Sequence, residues 1–255
     1  MSNPLVSILL PVFNGERHVR EALDSVLSQQ YSNWELVIVD DCSTDSTPDI
    51  LAEYAARDER IYVYRNAQNK RLPATINEAF ARSNGSYITW TSDDNILEPN
   101  ALSVMVRALD GNPGIDLVYC DVVYVGEDGR ELGSRCTVAS PRLLYFYNTV
   151  QACFMYRRHV QEQLGGYDTD LFLVEDYDFW LRAYRSFAFL HLKGVAPYRY
   201  RFHAGSLTSQ RQHDIREKAC GLLKRELHSK ELPISRRISA GIGFAYNYLR
   251  MLSAK

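Results

Sequence analysis

Val6-Ser7-Ile8-Leu9-Leu10-Pro11-Val12-Phe13-Asn14-Gly15-Glu16 decides how the rest of the chain reads, because a short apolar run ends abruptly in a polar turn. A run without polar alternation fits a strand covered on both faces, the condition of strands in a parallel sheet. Apolar Val19, Ala22, Leu23, Val26 and Leu27 follow at helical spacing, and Leu36 to Val39 is a second run, ending in Asp40-Asp41-Cys42-Ser43-Thr44-Asp45. Strand, helix and strand in this rhythm predict a parallel sheet flanked by helices. The rhythm continues through a helix around Ile50 to Ala56, a strand at Ile61 to Tyr64, a helix around Ala74 to Ala81 and a strand at Tyr87 to Thr91. A helix from Ala101 to Leu109 then leads through Gly111-Asn112-Pro113-Gly114 to a strand at Leu117 to Tyr119.

Beyond residue 120 the alternation stops. Val122 to Val125 and Glu131-Leu132 flank the turn signal Glu127-Asp128-Gly129 and predict an antiparallel hairpin, and Ala152 to Tyr156 reads as one more strand. From Ile215 the pattern is basic and helical, broken at Pro233, with Arg236, Arg237, Arg250 and Lys255 beside Ile234, Ile238, Ile242, Phe244, Tyr248 and Leu252. The expected architecture is α/β: a mostly parallel, nucleotide-binding type of half-sheet over about residues 1–120, a smaller mixed half over about 121–209, and a basic helical tail, 210–255.

The composition narrows the function classes. Of 255 residues 46% are hydrophobic and 24% charged, with 29 basic against 31 acidic side chains, which excludes a disordered, collagenous or membrane-embedded chain. A net charge of -2 provides no global positive field for a nucleic-acid backbone, so nucleic acid is not an expected partner. Cys42, Cys120, Cys136, Cys153 and Cys220 are odd in number and scattered, fitting neither a disulfide framework nor a zinc site, and point to a reducing cytoplasm. Met1-Ser2-Asn3-Pro4 enters the first strand without a basic n-region or long apolar stretch, so neither a signal peptide nor a membrane span is expected.

Ligands of open parallel sheets bind beyond the carboxyl ends of the strands. Three such ends are polar here: Pro11 to Glu16, Asp40 to Asp45, and Thr91-Ser92-Asp93-Asp94-Asn95. One such cluster is explained by helix capping and turns. Two Asp-Asp pairs on one rim repel each other and call for a cation or hydrogen-bond donors. Neither G-x-x-x-x-G-K-[ST] nor G-x-G-x-x-G is present, so no phosphate-cradling loop or dinucleotide fingerprint explains the rim. A hard divalent cation, Mg²⁺ or Mn²⁺, held by one or two carboxylates together with a substrate diphosphate, does explain it.

These rim segments, with Gly85-Ser86-Tyr87-Ile88 leading into Asp93-Asp94-Asn95 and with Glu175-Asp176-Tyr177-Asp178-Phe179-Trp180-Leu181-Arg182, resemble the family 2 glycosyltransferases of the GT-A fold, of the kind that builds spore-coat polysaccharide. The motifs fall in the family's order over roughly residues 5–205. The resemblance implies a GT-A type sheet, with the second half on the acceptor side, and an inverting, divalent-metal-dependent transfer of a sugar from a UDP- or dTDP-sugar to a hydroxyl of a glycan or lipid-linked acceptor. It implies a nucleotide site of Pro11, Phe13, Asn14, Glu16, Asp41, Arg71 and Asp93, with Phe13 stacked on the pyrimidine, Asp41 accepting from the base N3–H, Arg71 near the base or diphosphate, and Asp93 on the ribose. It further implies Asp94 and His203 at a Mn²⁺ or Mg²⁺ ion, and Asp176 as the base that takes the acceptor proton. Thr91 and Ser92 precede Asp93-Asp94, a departure from a strict Asp-x-Asp, so only Asp94 of the pair is expected on the metal.

Each residue also has a plainer reading. Arg71 reads equally as a solvated surface residue, the acids at 175–178 suit any helix N-terminus, and Asp178 fits that role best. His18, His159 and His191 have no supporting context. A non-catalytic nucleotide-sugar or glycan binding module is the alternative from another class, and a phosphoacceptor domain built on Asp40-Asp41 a third; neither needs Asp94 and Asp176 together. The basic tail either packs on the catalytic domain or lies on an anionic membrane surface.

Overall fold

The computed structural model describes residues 3–136 and 140–252, so Met1, Ser2 and the tail residue Lys255 lie outside the described residues. Strands β1 (Val6–Val12), β2 (Trp34–Asp40), β3 (Ile61–Arg65) and β4 (Tyr87–Trp90) alternate with helices α1 (Val19–Leu27), α2 (Thr47–Arg57) and α3 (Leu72–Ala81). There follow β5 (Ile96–Leu97), α4 (Ala101–Asp110), β6 (Leu117–Cys120), β7 (Val122–Val125) and β8 (Glu131–Cys136). A 3-10 turn at Pro141–Tyr145 leads to β9 (Phe154–Arg157), α5 (Arg158–Leu164), a second 3-10 turn at Thr169–Leu171, and α6 (Glu175–Ser186). The chain ends with β10 (Phe189–Leu192), β11 (Tyr198–Arg201), the single turn α7 (Leu207–Gln210), and the helical hairpin α8 (Gln212–His228) and α9 (Ile234–Leu252).

The large sheet has the order β10-β6-β9-β4-β1-β2-β3, parallel except for β9, which runs antiparallel to both β4 and β6. A second sheet, β5-β11-β7-β8, contains the expected hairpin β7–β8. The chain is thus a mostly parallel α/β sheet with a smaller mixed half. The strand at 152–156 was legible as a strand, but its antiparallel place between two parallel strands was not, because nothing local encodes the partner of a four-residue strand.

All seven residues of β1 and of β2 are buried, which is why the runs lack alternation. Ile8, Leu10, Leu36 and Ile38 pack toward α1, α2 and α4, while Leu9, Val37 and Val39 pack toward α3, α6 and α8. Pro11 is tolerated inside a central strand because β4 pairs with β1 only as far as Leu9↔Trp90, so the missing N–H falls past the end of the neighbour.

The basic tail is two antiparallel helices with opposite packing. On α8, Leu222 and Leu223 are buried in the core. Its Arg225 and the α6 residue Arg182 both pair with buried Asp178, and Arg185 of α6 pairs with buried Glu226 at 2.6 Å. On α9, Ile238, Ile242 and Leu249 are exposed. No helix among the described residues is long and apolar enough to cross a membrane.

Candidate active site

The loops after β1 and β2 are lashed together. The Asn14 N–H donates to Ser43 Oγ (2.9 Å), Thr44 N–H to Asn14 Oδ1 (2.8 Å), and Gly15 N–H to Thr47 Oγ1 (2.9 Å). Glu16 Oε2 accepts from both N–H and Oγ of Ser46 (3.0 and 2.6 Å). Asn14 and Glu16 therefore hold the rim's shape, Pro11 lies buried below it in β1, and Phe13 stands at the rim with 48% of its surface exposed. Gly15 packs closely on Asp93: a Cβ there would lie 2.1 Å from Asp93 Oδ2, so a larger residue would displace that carboxylate. Among the described residues, the five non-glycine positive-φ positions are Asn14, Cys42, Arg71, Gln151 and Leu173. Three flank the rim loops, and Leu173 and Gln151 lie beside Asp176 and its partner Asn148. Strain of this kind persists where surrounding contacts fix the backbone, commonly at working sites.

Asp40 and Asp41 are both buried; Asp41 accepts hydrogen bonds through both oxygens, whereas Asp40 Oδ2 has an ion-pair partner but no hydrogen bond. Asp40 Oδ1 accepts from Ser43 N–H (2.9 Å), and Oδ2 pairs with Arg65 (3.1 Å). Asp41 Oδ1 accepts from Asn66 Nδ2 (2.7 Å) and Lys70 N–H (2.9 Å), and Oδ2 from Arg71 N–H (2.8 Å). Asp41 thereby folds the 66–71 loop, with one acceptor position left on Oδ2. The guanidinium of exposed Arg71 lies 5.5 Å over the Phe172 ring.

Asp93 and Asp94 are in a different state. No cationic side chain among the described residues pairs with Asp93, whose pKa is pushed up to about 7, by burial first and then by the charge of Asp94. Asp94 Oδ1 accepts from Ser92 Oγ, and Oδ2 lies 3.0 Å from His203 Nε2. His203 in turn meets His18 edge-on, ring centroids 5.1 Å apart. His18 Nε2 is buried without a partner, and burial, then the Arg201 charge, lower its pKa. Arg201, 2% exposed, clamps this end of the sheet: its N–H donates to Asn95 Oδ1 (2.8 Å), its Nε to Asp94 O (2.9 Å) and its Nη1 to Glu127 O (2.8 Å).

A carboxylate and an imidazole at hydrogen-bond distance, with a second unpartnered imidazole nitrogen nearby, suit a divalent cation such as Mn²⁺. No group of three or more His, Cys, Asp or Glu side chains that could hold a metal occurs among the described residues. A cation held by Asp94 and His203 would take its remaining ligands from elsewhere, such as a substrate diphosphate.

Asp176 lies in the first turn of α6. Its Oδ2 accepts from Asn148 Nδ2 and its Oδ1 from Tyr177 N–H, both at 2.7 Å, while burial raises its pKa. Buried Glu175 is pushed up to about 8, by burial and then by the charge of Asp176. Burial raises the pKa of the Tyr200 hydroxyl, opposed by its hydrogen bond with Thr208 and reinforced by the charges of Asp94 and Asp176. Asp178 is buried and neutralised by two arginines, a structural acid. His159 and His191 pair with Asp116 and Asp121.

Sequence reasoning missed His18, Asn148, Tyr200 and Arg201. Tyr200 and Arg201 stand just before His203 and could have been suspected from it. Asn148 carried no signal, since only the fold brings it to a residue 28 positions later.

A family model described as "Glycosyl transferase family 2" matches residues 7–165. The protein WcaA of Escherichia coli, assigned by name to colanic acid biosynthesis, is 36% identical over 71% of this chain and 66% of its own. Across several curated relatives the matched stretch spans from 20% to 69% of their own length. Among solved structures, S. aureus TarS 1-349 in complex with UDP-GlcNAc superposes with a TM-score of 0.76 at 20% identity, covering 96% of this chain and 72% of that one. The mannosyltransferase PcManGT of Pyrobaculum calidifontis, in complex with GDP-Man and Mn²⁺, does so with a TM-score of 0.72 at 17% identity, covering 100% and 77%. These structures share the GT-A fold with this chain.

Proposed function

The chain belongs to glycosyl transferase family 2, and from that premise we propose that it transfers a sugar from a UDP- or dTDP-sugar to a hydroxyl of a glycan or lipid-linked acceptor, with inversion and with Mn²⁺ or Mg²⁺ bound. The observation that carries this reading is the carboxylate of Asp94 held beside His203 after β4, together with a second carboxylate, Asp176, that Asn148 orients at the start of α6. Phe13 stacks on the base, Arg71 and the loop held by Asp41 border it, Asp93 meets the ribose, and Asp94 with His203 holds the cation. The cation, when bound, offsets the charge that develops on the leaving diphosphate.

Asp176 Oδ takes the proton from the acceptor hydroxyl while that oxygen attacks the anomeric carbon and the bond to the diphosphate breaks on the opposite face, releasing the nucleoside diphosphate. Burial raises the Asp176 pKa, which strengthens it as a base, and Asn148 aims it. TarS with UDP-GlcNAc and PcManGT with Mn²⁺ support the choice of donor class and ion, and a relative named for colanic acid supports a polysaccharide acceptor.

Asp176→Asn is the test. The variant is expected to fold and to bind UDP as the wild type does, yet to lose roughly 10² to 10⁴-fold in transfer, because an amide cannot accept the proton. Wild-type turnover in the variant would remove Asp176 as the base. Absence of nucleoside diphosphate release, UDP or dTDP, from every UDP- and dTDP-sugar by the wild-type chain would favour a binding module instead.

A further inference from the structure

Helix α9 carries two apolar faces. The inner one packs on the protein: Ala240 is fully buried, Asn247 Nδ2 donates to Phe146 O (2.6 Å), and Gly243 sits so close that a Cβ would lie 2.1 Å from Tyr145 O. The outer one has no cover. Ile234, Ile238 and Ile242 recur every four residues with Leu249 seven further on, and they are 72%, 56%, 54% and 65% exposed. On an α-helix this spacing forms one stripe. Contiguous exposed apolar surface on a soluble protein marks an interaction site.

The charge of the tail selects the occupant. From Arg211 to Lys255 there are ten basic and four acidic residues, leaving 19 basic and 27 acidic in the first 210. Within α9 itself there is no acid, and Arg236 and Arg237 turn inward, donating to Tyr184 O and Leu227 O. An open cleft of about 740 Å³ at the tip of the α8–α9 hairpin, immediately before Ile234, is lined by Lys224, Arg225, His228 and Lys230 together with Glu231. Two copies of α9 packed stripe to stripe would bring like charges together, whereas an anionic surface with an apolar interior matches both features. We infer that α9 docks this protein on an anionic phospholipid membrane, the isoleucine stripe entering the headgroup boundary and the cations of the hairpin tip, among them Lys224 and Lys230, meeting lipid phosphates. The inner face of the same helix holds Tyr145 and Phe146, two to three residues before Asn148, the partner of Asp176. If the transfer proposed above operates, docking therefore holds the acceptor side of the site beside the membrane, where a lipid-borne acceptor would lie.

The experiment is co-sedimentation of the full chain with vesicles of phosphatidylcholine alone or mixed with phosphatidylglycerol. The wild type is expected to sediment with the anionic vesicles at low salt, to be released at about 0.5 M salt, and to stay in solution with the neutral ones. The double variant Ile238→Glu, Ile242→Glu changes two exposed side chains, should keep the wild-type melting temperature, and should bind anionic vesicles at least tenfold more weakly. Sedimentation of the double variant equal to wild type, wild type soluble throughout, or equal binding to neutral vesicles would overturn the inference. So would light scattering that shows a wild-type dimer dissolved by the double variant, which would assign the stripe to a second copy. None of these readouts depends on transfer activity, so their failure is separable from failure of the proposed chemistry.

Discussion

Two Asp-Asp pairs flank β1 at the same edge of the sheet, and folding treats them in opposite ways. Asp40 and Asp41, after β2, receive a guanidinium, a side-chain amide and three backbone N–H groups. Asp93 and Asp94, after β4, receive a serine hydroxyl and a histidine, and Asp93 is driven toward protonation by its burial and its neighbour. The same dipeptide is scaffold in one loop and unbalanced charge in the other. A satisfied carboxylate lowers the free energy of the loop around it; an unsatisfied pair leaves electrostatic repulsion that a cation can relieve. The second pair is thus the one whose chemistry asks for a ligand.

The contrast breaks most visibly if Asp41 is removed. Asp41→Ala would strand the N–H groups of Lys70 and Arg71 and the Asn66 amide, costing on the order of 3 kcal/mol in a urea unfolding experiment. A variant as stable as wild type would show that Asp41 is not scaffold. Phe13→Ala probes the part of the rim that folding leaves exposed. It is expected to cost about 1 to 3 kcal/mol in UDP binding, by analogy with base–aromatic stacking, with little change in stability; an unchanged dissociation constant by calorimetry would remove the stacking role.

The smallest effect belongs to Asp93. Its folded pKa, about 7, lies above the ordinary carboxylate value of 3.8. The folded state therefore holds a proton that the unfolded chain has released, so this group's stabilisation is full below about pH 4 and is lost as pH rises through about 7. In the presence of EDTA, Asp93→Asn should flatten that decline, by about 1 kcal/mol from pH 5 to 8, because partial exposure screens the repulsion. Melting temperatures across that range, parallel for wild type and variant, would contradict it.

The parallel half of the fold was legible because β1 and β2 are buried on both faces and therefore write themselves as unbroken apolar runs. The rim was legible because Asp, Asn and Ser cluster where those runs stop. The tail was half legible. Its helices and the break at Pro233 followed from spacing and proline, but Leu222 and Leu223 on α8 and Ile238 and Ile242 on α9 look alike in one dimension. Which pair faces the core depends on the ion pairs of α8 with α6, made between residues 40 or more apart in sequence. Likewise the part Asp41 plays in folding its neighbouring loop was not legible, because its partners, at positions 66 to 71, are not adjacent to it in the chain. The pairing of Asp94 with His203, 109 residues apart, was reachable only through the family resemblance.

The most direct test of the contrast is a calorimetric titration of UDP into the protein with EDTA and then with Mn²⁺, for the wild type, Asp94→Asn and Asp41→Asn. Placing the cation at Asp94 and His203 predicts that Mn²⁺ tightens UDP binding at least tenfold, about 1.4 kcal/mol, in the wild type, that this gain survives in any folded Asp41→Asn, and that it vanishes in Asp94→Asn. Equal UDP affinity with EDTA and with Mn²⁺, or an undiminished gain in Asp94→Asn, would contradict the assignment of the cation to the pair after β4.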